Sequence, residues 1–362
     1  MAITTKNAYL RHMEQGFTKA RTAILAGILS SEPPKKDVDI SEAYMQSASL
    51  LGDYVTLDWQ HFLDIRTVLG TIRRYAGDRT RRRPLNIIMQ AEPGSGKSHF
   101  VKCLAKKLDV FHAVAVDFNM ASLQNIEDLI QPLDAARNLK VVDRLPILFL
   151  DEFDSDKKKY PLLLPLMWDG ELHVGHRDLK LGKLVIILAG SGRNIARTMT
   201  AAKGMQPVSA SDDSKLVDVL SRINGGELGI PSLDEVQKDR DRRTDKVCLT
   251  ISLLQMRFGD RLAVVPWNLL RFVAMSKFRY GVRSIAHLID LIPLPEEVSD
   301  RLGVDDMRLP LRSVEELRDS SLAYHMFSED GAAAIVNEWK TSLECEALVR
   351  FMPEEQEQDV PF

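Results

Sequence analysis

Residues 90–100 read QAEPGSGKSHF, Gln90 to Phe100. The run before it, LNIIMQ (85–90), is short, apolar and bounded by turn formers, which predicts a buried strand. After it, Phe100, Val101, Leu104 and Leu108 recur at helical spacing. A strand, a glycine-rich loop and a helix start are what a phosphate cradle needs. Main-chain N–H groups point inward, a lysine reaches the outer phosphates, and a hydroxyl holds Mg²⁺. Gly94 and Gly96 stand where the backbone must approach closest, and Lys97 and Ser98 open the helix. The usual first glycine is Ala91. There the chain still leaves the sheet extended, and a methyl group is tolerated. The stretch Glu92, Pro93, Gly94, Ser95, Gly96, Lys97, Ser98 and His99 is therefore expected to cradle nucleotide phosphates, with Ser98 on the metal.

Such a loop needs an acid at the end of another buried strand. LPILFLDEFD (145–154) supplies it: Asp151 is expected to meet Mg²⁺, directly or through water, and Glu152 to orient or deprotonate the attacking water. Further apolar runs at 111–118 and 183–191, and a last strand near 226–233, alternate with helical patterns at 122–138, 161–172 and 216–223. That alternation predicts a parallel sheet with helices on both faces.

These residues resemble the AAA+ ATPase family, over roughly residues 84–298. The family accepts alanine at the first loop position, and Gly94, Gly96, Lys97, Ser98 with Asp151 and Glu152 match its Walker A and B motifs. The resemblance implies further roles. VLSRI (219–223) is similar to the arginine-finger segment, with Arg222 acting on a neighbouring subunit's nucleotide. YGVRSIAHLID (280–290) looks like sensor 2, with Arg283 on the phosphates. Sensor 1 departs from the family: the strand ends LAGSGRN, placing Ser191 in the water-positioning slot and Asn194 three residues on. Slow hydrolysis is the expectation from that departure. No aromatic-glycine pore loop follows the second strand, where DFNMAS stands, so polypeptide threading is not expected.

The resemblance implies an α/β P-loop domain at 84–233 and an all-helical lid at 234–298. Residues 1–83 and 299–362 flank them as a helical region with an arginine-rich linker and an extension with an acidic tail. ATP and Mg²⁺ are the implied cofactors, and a homo-oligomeric ring or filament and a protein partner follow from the family pattern. The alternative is a slow nucleotide switch or loader acting on DNA. Arg73, Arg74, Arg79, Arg81, Arg82 and Arg83 are the hint for nucleic acid. In the family that segment lies beside the nucleotide base or at a subunit edge.

Bulk properties limit the choices. At 362 residues with 45% apolar content the chain can bury more than one core. A net charge of −3 gives no overall basic field. Cys103, Cys248 and Cys345 lack partners at metal-ligand spacing and read as reduced thiols. No apolar run is long enough for a bilayer, so no membrane is expected and the cytoplasm is the expected location. HRDLK (176–180) copies a kinase catalytic loop without its asparagine or a later DFG, and is expected to be a hairpin or loop. DKKKY (156–160) is expected to be a solvated turn.

Overall fold

The computed structural model describes residues 2–30, 35–174, 176–191, 214–233, 241–259, 262–292 and 347–353. They fall into two units, Leu63–Pro231 and a second made of Met1–Phe62 with Ser232–Phe362. The chain opens with α1 (Ala2–Leu29), β1 (Val38–Asp39), α2 (Ser41–Leu51) and α3 (Trp59–Gly77). The middle holds β2 (Leu85–Ala91), α4 (Lys97–Lys107), β3 (Val114–Asn119), α5 (Ile130–Val141), β4 (Pro146–Asp151) and α6 (Tyr160–Asp169). It continues through β5 (Glu171–Val174), β6 (Arg177–Lys180), β7 (Val185–Gly190), α7 (Ser214–Leu220) and β8 (Gly226–Ile230). Last come α8 (Arg243–Phe258), β9 (Val264–Pro266), α9 (Trp267–Met275), α10 (Val282–Asp290) and β10 (Leu348–Arg350).

The 63–231 unit is an α/β P-loop fold around a five-stranded sheet in the order β3-β4-β7-β2-β8, every pairing parallel. Every residue of β7 is buried, as is all of β2 except Gln90. A strand covered on both faces must be apolar at consecutive positions, which is why VIILAG and LNIIM show no alternation. Leu148, Leu150, Phe153, Leu163, Leu166, Leu188 and Val219 share one core with these strands.

Several expected elements need correction in detail. The strand expected at 111–118 begins only at Val114, after a 3₁₀ turn at Asp109–Phe111. The helix expected from 122 begins at Ile130, preceded by short 3₁₀ turns. The helix expected over 161–172 ends at Asp169, because Gly170 takes a left-handed conformation (φ +68°). A Cβ there would lie 2.7 Å from the Gly182 carbonyl oxygen, so only glycine fits. The chain then forms the β5–β6 hairpin, into which HRDLK falls. DKKKY is a turn with one anchored end, since Lys159 Nζ donates to the Met120 carbonyl at 2.6 Å.

The second unit departs further from expectation. Segments of the regions expected as separate pieces (1–83, 234–298 and 299–362) lie together in it. β10 pairs in parallel with β1 and antiparallel with β9, forming a three-stranded sheet. The segment 234–298 is therefore not wholly helical. Its β-branched Val264 and Val265 precede Pro266 in a strand bonded to β10. Trp267, fully buried, packs against Gly27 of α1. Arg242 lies between two carboxylates, Asp58 at 3.5 Å and Asp245 at 3.3 Å. Cys103 and Cys248 are buried free thiols, and Cys345 lies outside the described residues.

Candidate functional site

β2 sits between β7 and β8, whereas the next strand along the chain, β3, is at the far edge of the sheet. Connections thus leave β2 on diverging paths, and the crevice at its carboxyl end is where α/β sheets bind ligands. The loop 92–96 lies there. Gly94 (φ +78°) and Gly96 (φ +90°) both take left-handed conformations that side chains rarely adopt. The Ser95 amide and hydroxyl donate to the Glu92 carbonyl at 3.2 and 2.7 Å, closing the turn. Gly96 then caps α4, and the amides of that first helical turn have no acceptor within the helix. His99 lies one residue past Ser98, with a nitrogen 3.6 Å from Cys103 Sγ. Ser98 is exposed.

Lys97 is buried, and its ammonium donates to Asp151 Oδ1 at 2.8 Å. The first turn of α4 and the end of β4 therefore meet, bringing together the two segments that the sequence picked out separately. Asp151 Oδ1 also accepts from the Glu152 amide at 2.9 Å. Glu152 itself has φ +52°, an unusual backbone state for a residue with a side chain. The Phe153 amide, bonded to the Ala189 carbonyl at 3.1 Å, holds that bend against β7.

Ser191 follows β7 directly. Its amide and hydroxyl both donate to Asp154, at 3.1 Å to Oδ2. Asn194 lies outside the described residues. Two acids beyond those expected join the site. Asp154 ties the ends of β4 and β7 together. Asp117 on β3 has its carboxyl held above the usual range by partial loss of water and by the Asp151 charge, with Lys102 opposing. An acid ending the apolar run FHAVAVDF was the visible signal for Asp117; nothing in the sequence pairs Asp154 with Ser191.

Arg222 is not part of this cluster. Its carbonyl accepts from Asn86 Nδ2, near the amino end of β2. Extended chain covers about 20 Å over the seven residues from there to the loop. Its guanidinium donates to the Asp218 carbonyl at 2.7 Å and lies 6.0 Å from the Trp168 ring centroid. Arg79 to Arg83 also precede β2, at the end opposite the phosphate loop. Arg283 is exposed on α10, in the second unit.

Residues 87–190 match the model of the ATPase family associated with various cellular activities (AAA). Among solved structures, it is similar to NtrX from Brucella abortus in complex with ATP, at 15% identity and a TM-score of 0.41. That match covers 77% of this chain and 68% of NtrX. The S. cerevisiae Hsp104–ADP complex matches at 14% identity and a TM-score of 0.40, covering 77% of this chain and 46% of Hsp104. The comparison with curated proteins found no match. Among the described residues, no helix is long and apolar enough to cross a membrane, and no three His, Cys, Asp or Glu side chains gather as a metal site. Mg²⁺ does not need such a cage, because it keeps several waters and takes the rest of its ligands from one or two carboxylates and phosphates.

Proposed function

We propose that this protein binds and hydrolyses ATP with Mg²⁺, and that the nucleotide state drives remodelling or assembly of a protein partner. The observation that carries the reading is the 2.8 Å contact between Lys97 and Asp151, under a loop whose two glycines are left-handed. Residues 92–99 surround the phosphates with main-chain N–H groups, and Lys97 turns from Asp151 toward the outer phosphates. Ser98 and Asp151 hold Mg²⁺, which when bound neutralises the phosphates. Glu152 accepts the proton of the attacking water. Its backbone state fits that role, because strained residues held by their surroundings cluster at functional sites. Ser191 positions that water. Arg222, remote from its own loop, acts on the nucleotide of a second copy in this reading, and the active form is a homo-oligomer.

Titration with a fluorescent ATP analogue tests this. Lys97→Ala should lose binding, whereas Glu152→Gln should bind normally and hold ATP without turnover. Parental turnover in Glu152→Gln would remove the assigned base. Mass measurement with and without a non-hydrolysable analogue tests assembly, and a persistent monomer would leave Arg222 without a role.

One observation favours a second reading, a slow switch or loader acting on a nucleic-acid complex. The Ser191 hydroxyl is already engaged by Asp154, which leaves it less able to position water. Turnover stimulated by DNA would support the loader.

A further inference from the structure

At the amino end of the parallel sheet, remote from the phosphate loop, basic side chains converge from four separate parts of the 63–231 unit. Arg81, Arg82 and Arg83 lie exposed on the link from α3 to β2. Lys183, just before β7, donates to the Ala76 and Asp78 carbonyls, both at 2.8 Å. Lys140, at the end of α5, donates to the Leu181 carbonyl. A Cβ on Gly182 would stand 3.4 Å from Lys140 Nζ and 3.6 Å from the Arg82 carbonyl, so these groups are immediate neighbours. Loss of water holds both lysines below their usual range, and the charge of Lys183 adds to the effect on Lys140. An aromatic side chain lies among them, beside Arg222 from after α7. Trp168 at the end of α6 is 48% exposed, with the Arg83 guanidinium 4.4 Å from its ring centroid and Arg222 at 6.0 Å.

Carboxylates here do not balance the cations. Asp78 is paired with Arg81 and Asp218 with Lys215, leaving Asp143 after α5 and Asp169 beside the tryptophan. Like charges held together repel, and a chain with a net charge of −3 has no general basic surplus to account for them. Several cations gathered together suit a polymer of phosphates better than one phosphate, and an exposed indole beside them suits an unstacked base.

We propose that this face, centred on Arg82, Arg83 and Trp168, binds single-stranded nucleic acid. The cations track the backbone, and Trp168 serves as a platform that orders guanidinium groups and meets a base. The inference deepens the loader reading given above, yet its chemistry is independent of the ATP site.

Fluorescence anisotropy of a labelled oligothymidine with the full-length protein tests it. The parent should bind with affinity falling steeply as salt rises. Arg82→Ala with Arg83→Ala should weaken binding about tenfold and lower the log–log salt slope by about 1.4, at ~0.7 per lost phosphate contact on single strands. Trp168→Ala should weaken binding about 5- to 150-fold, the range for losing one stacked base. Circular dichroism confirms that each variant is folded. Lys97→Ala separates the two sites: it should lose the ATP analogue and bind the oligonucleotide as the parent does. Loss of the oligonucleotide in Lys97→Ala would place that binding at the phosphate loop and overturn the proposal. So would no binding by the parent at about 100 µM in ~50 mM salt, or an unchanged affinity and slope in the double variant. Polyglutamate competing as well as unlabelled oligonucleotide would also overturn it, making the surface a general acidic-partner site.

Discussion

The same substitution at two glycines of α1 should have opposite effects. A Cβ on Gly27 would lie 2.2, 2.9 and 3.0 Å from ring atoms of Trp267, a side chain with no exposed surface. Carbon atoms rest about 3.5–4.0 Å apart, so the nearest contact is short by roughly 1.3 Å. The indole is enclosed and cannot swing aside, so the helix backbone must move. Alanine gains about 1 kcal/mol over glycine inside a helix, and overpacking costs about 1–3 kcal/mol or more. At so short a contact the cost wins, and Gly27→Ala should destabilise its unit by about 2 kcal/mol. Gly16 is on the same helix, and a Cβ there would meet only Gln46 Oε1 at 3.8 Å, an ordinary contact. Gly16→Ala should therefore stabilise by about 0.5–1 kcal/mol. In urea, with a slope of about 2 kcal/mol/M, the midpoints move by about 1 M downward and ~0.3 M upward. Trp267→Leu should absorb the clash, so that adding Gly27→Ala to it costs little, a coupling of about 2 kcal/mol. A Gly27→Ala midpoint at or above the parental one would refute the reasoning, as would equal costs of Gly27→Ala in the two backgrounds.

Other outcomes follow from single contacts. Burial, only partly offset by Arg242, pushes Asp245 up to about 6, with the Asp58 charge adding to the rise and Arg21 opposing it. The native state then holds a proton that the unfolded chain releases. The associated stability is full below about pH 4 and is lost as pH rises through 6, up to about 3 kcal/mol. Asp245→Asn, with Asp58 still facing Arg242, should flatten the fall in urea midpoint between pH 4.5 and 6.5; an unchanged profile would refute the assignment. The Tyr75 hydroxyl lies 2.9 Å from the Arg83 carbonyl and 3.0 Å from that of Leu184. Tyr75→Phe should cost about 1 kcal/mol in thermal or urea unfolding, since the hydroxyl's bond is lost while the Leu184 carbonyl keeps the Leu85 amide. Glu152→Gly should relieve a left-handed backbone and keep or raise stability, by up to about 1 kcal/mol, while ATP turnover disappears. A clear loss of stability there would show that the bend is unstrained.

The central sheet was legible because its strands are buried on both faces and announce themselves as apolar runs between turn formers. Lys97 and Asp151 could be matched from sequence, since Asp151 ends one such run and Lys97 opens the helix after the loop that follows another. The three-stranded sheet of the other unit was not legible. β1 has two residues and β10 three, too few for any periodicity, and Val38 pairs with Val349 across most of the chain. The role of Trp168 was hidden for a different reason. A tryptophan in the apolar run YPLLLPLMWD suggests core, and only the turn at Gly170 leaves its ring half outside between two arginines. Ser191 and Asp154 lie on different loops, and sequence spacing does not encode a pairing between loop ends.

The middle strand of that small sheet is the last of the three to be synthesised. While the ribosome is still adding residues 267 to 347, β1 and β9 have no edge to bond to. The parallel sheet, by contrast, has all its strands once residue 230 has emerged. Assembly during translation should thus proceed from the interior of the sequence outward: Gly27 of α1 waits for Trp267, and Tyr44 of α2 waits for Phe351, about three hundred residues behind it.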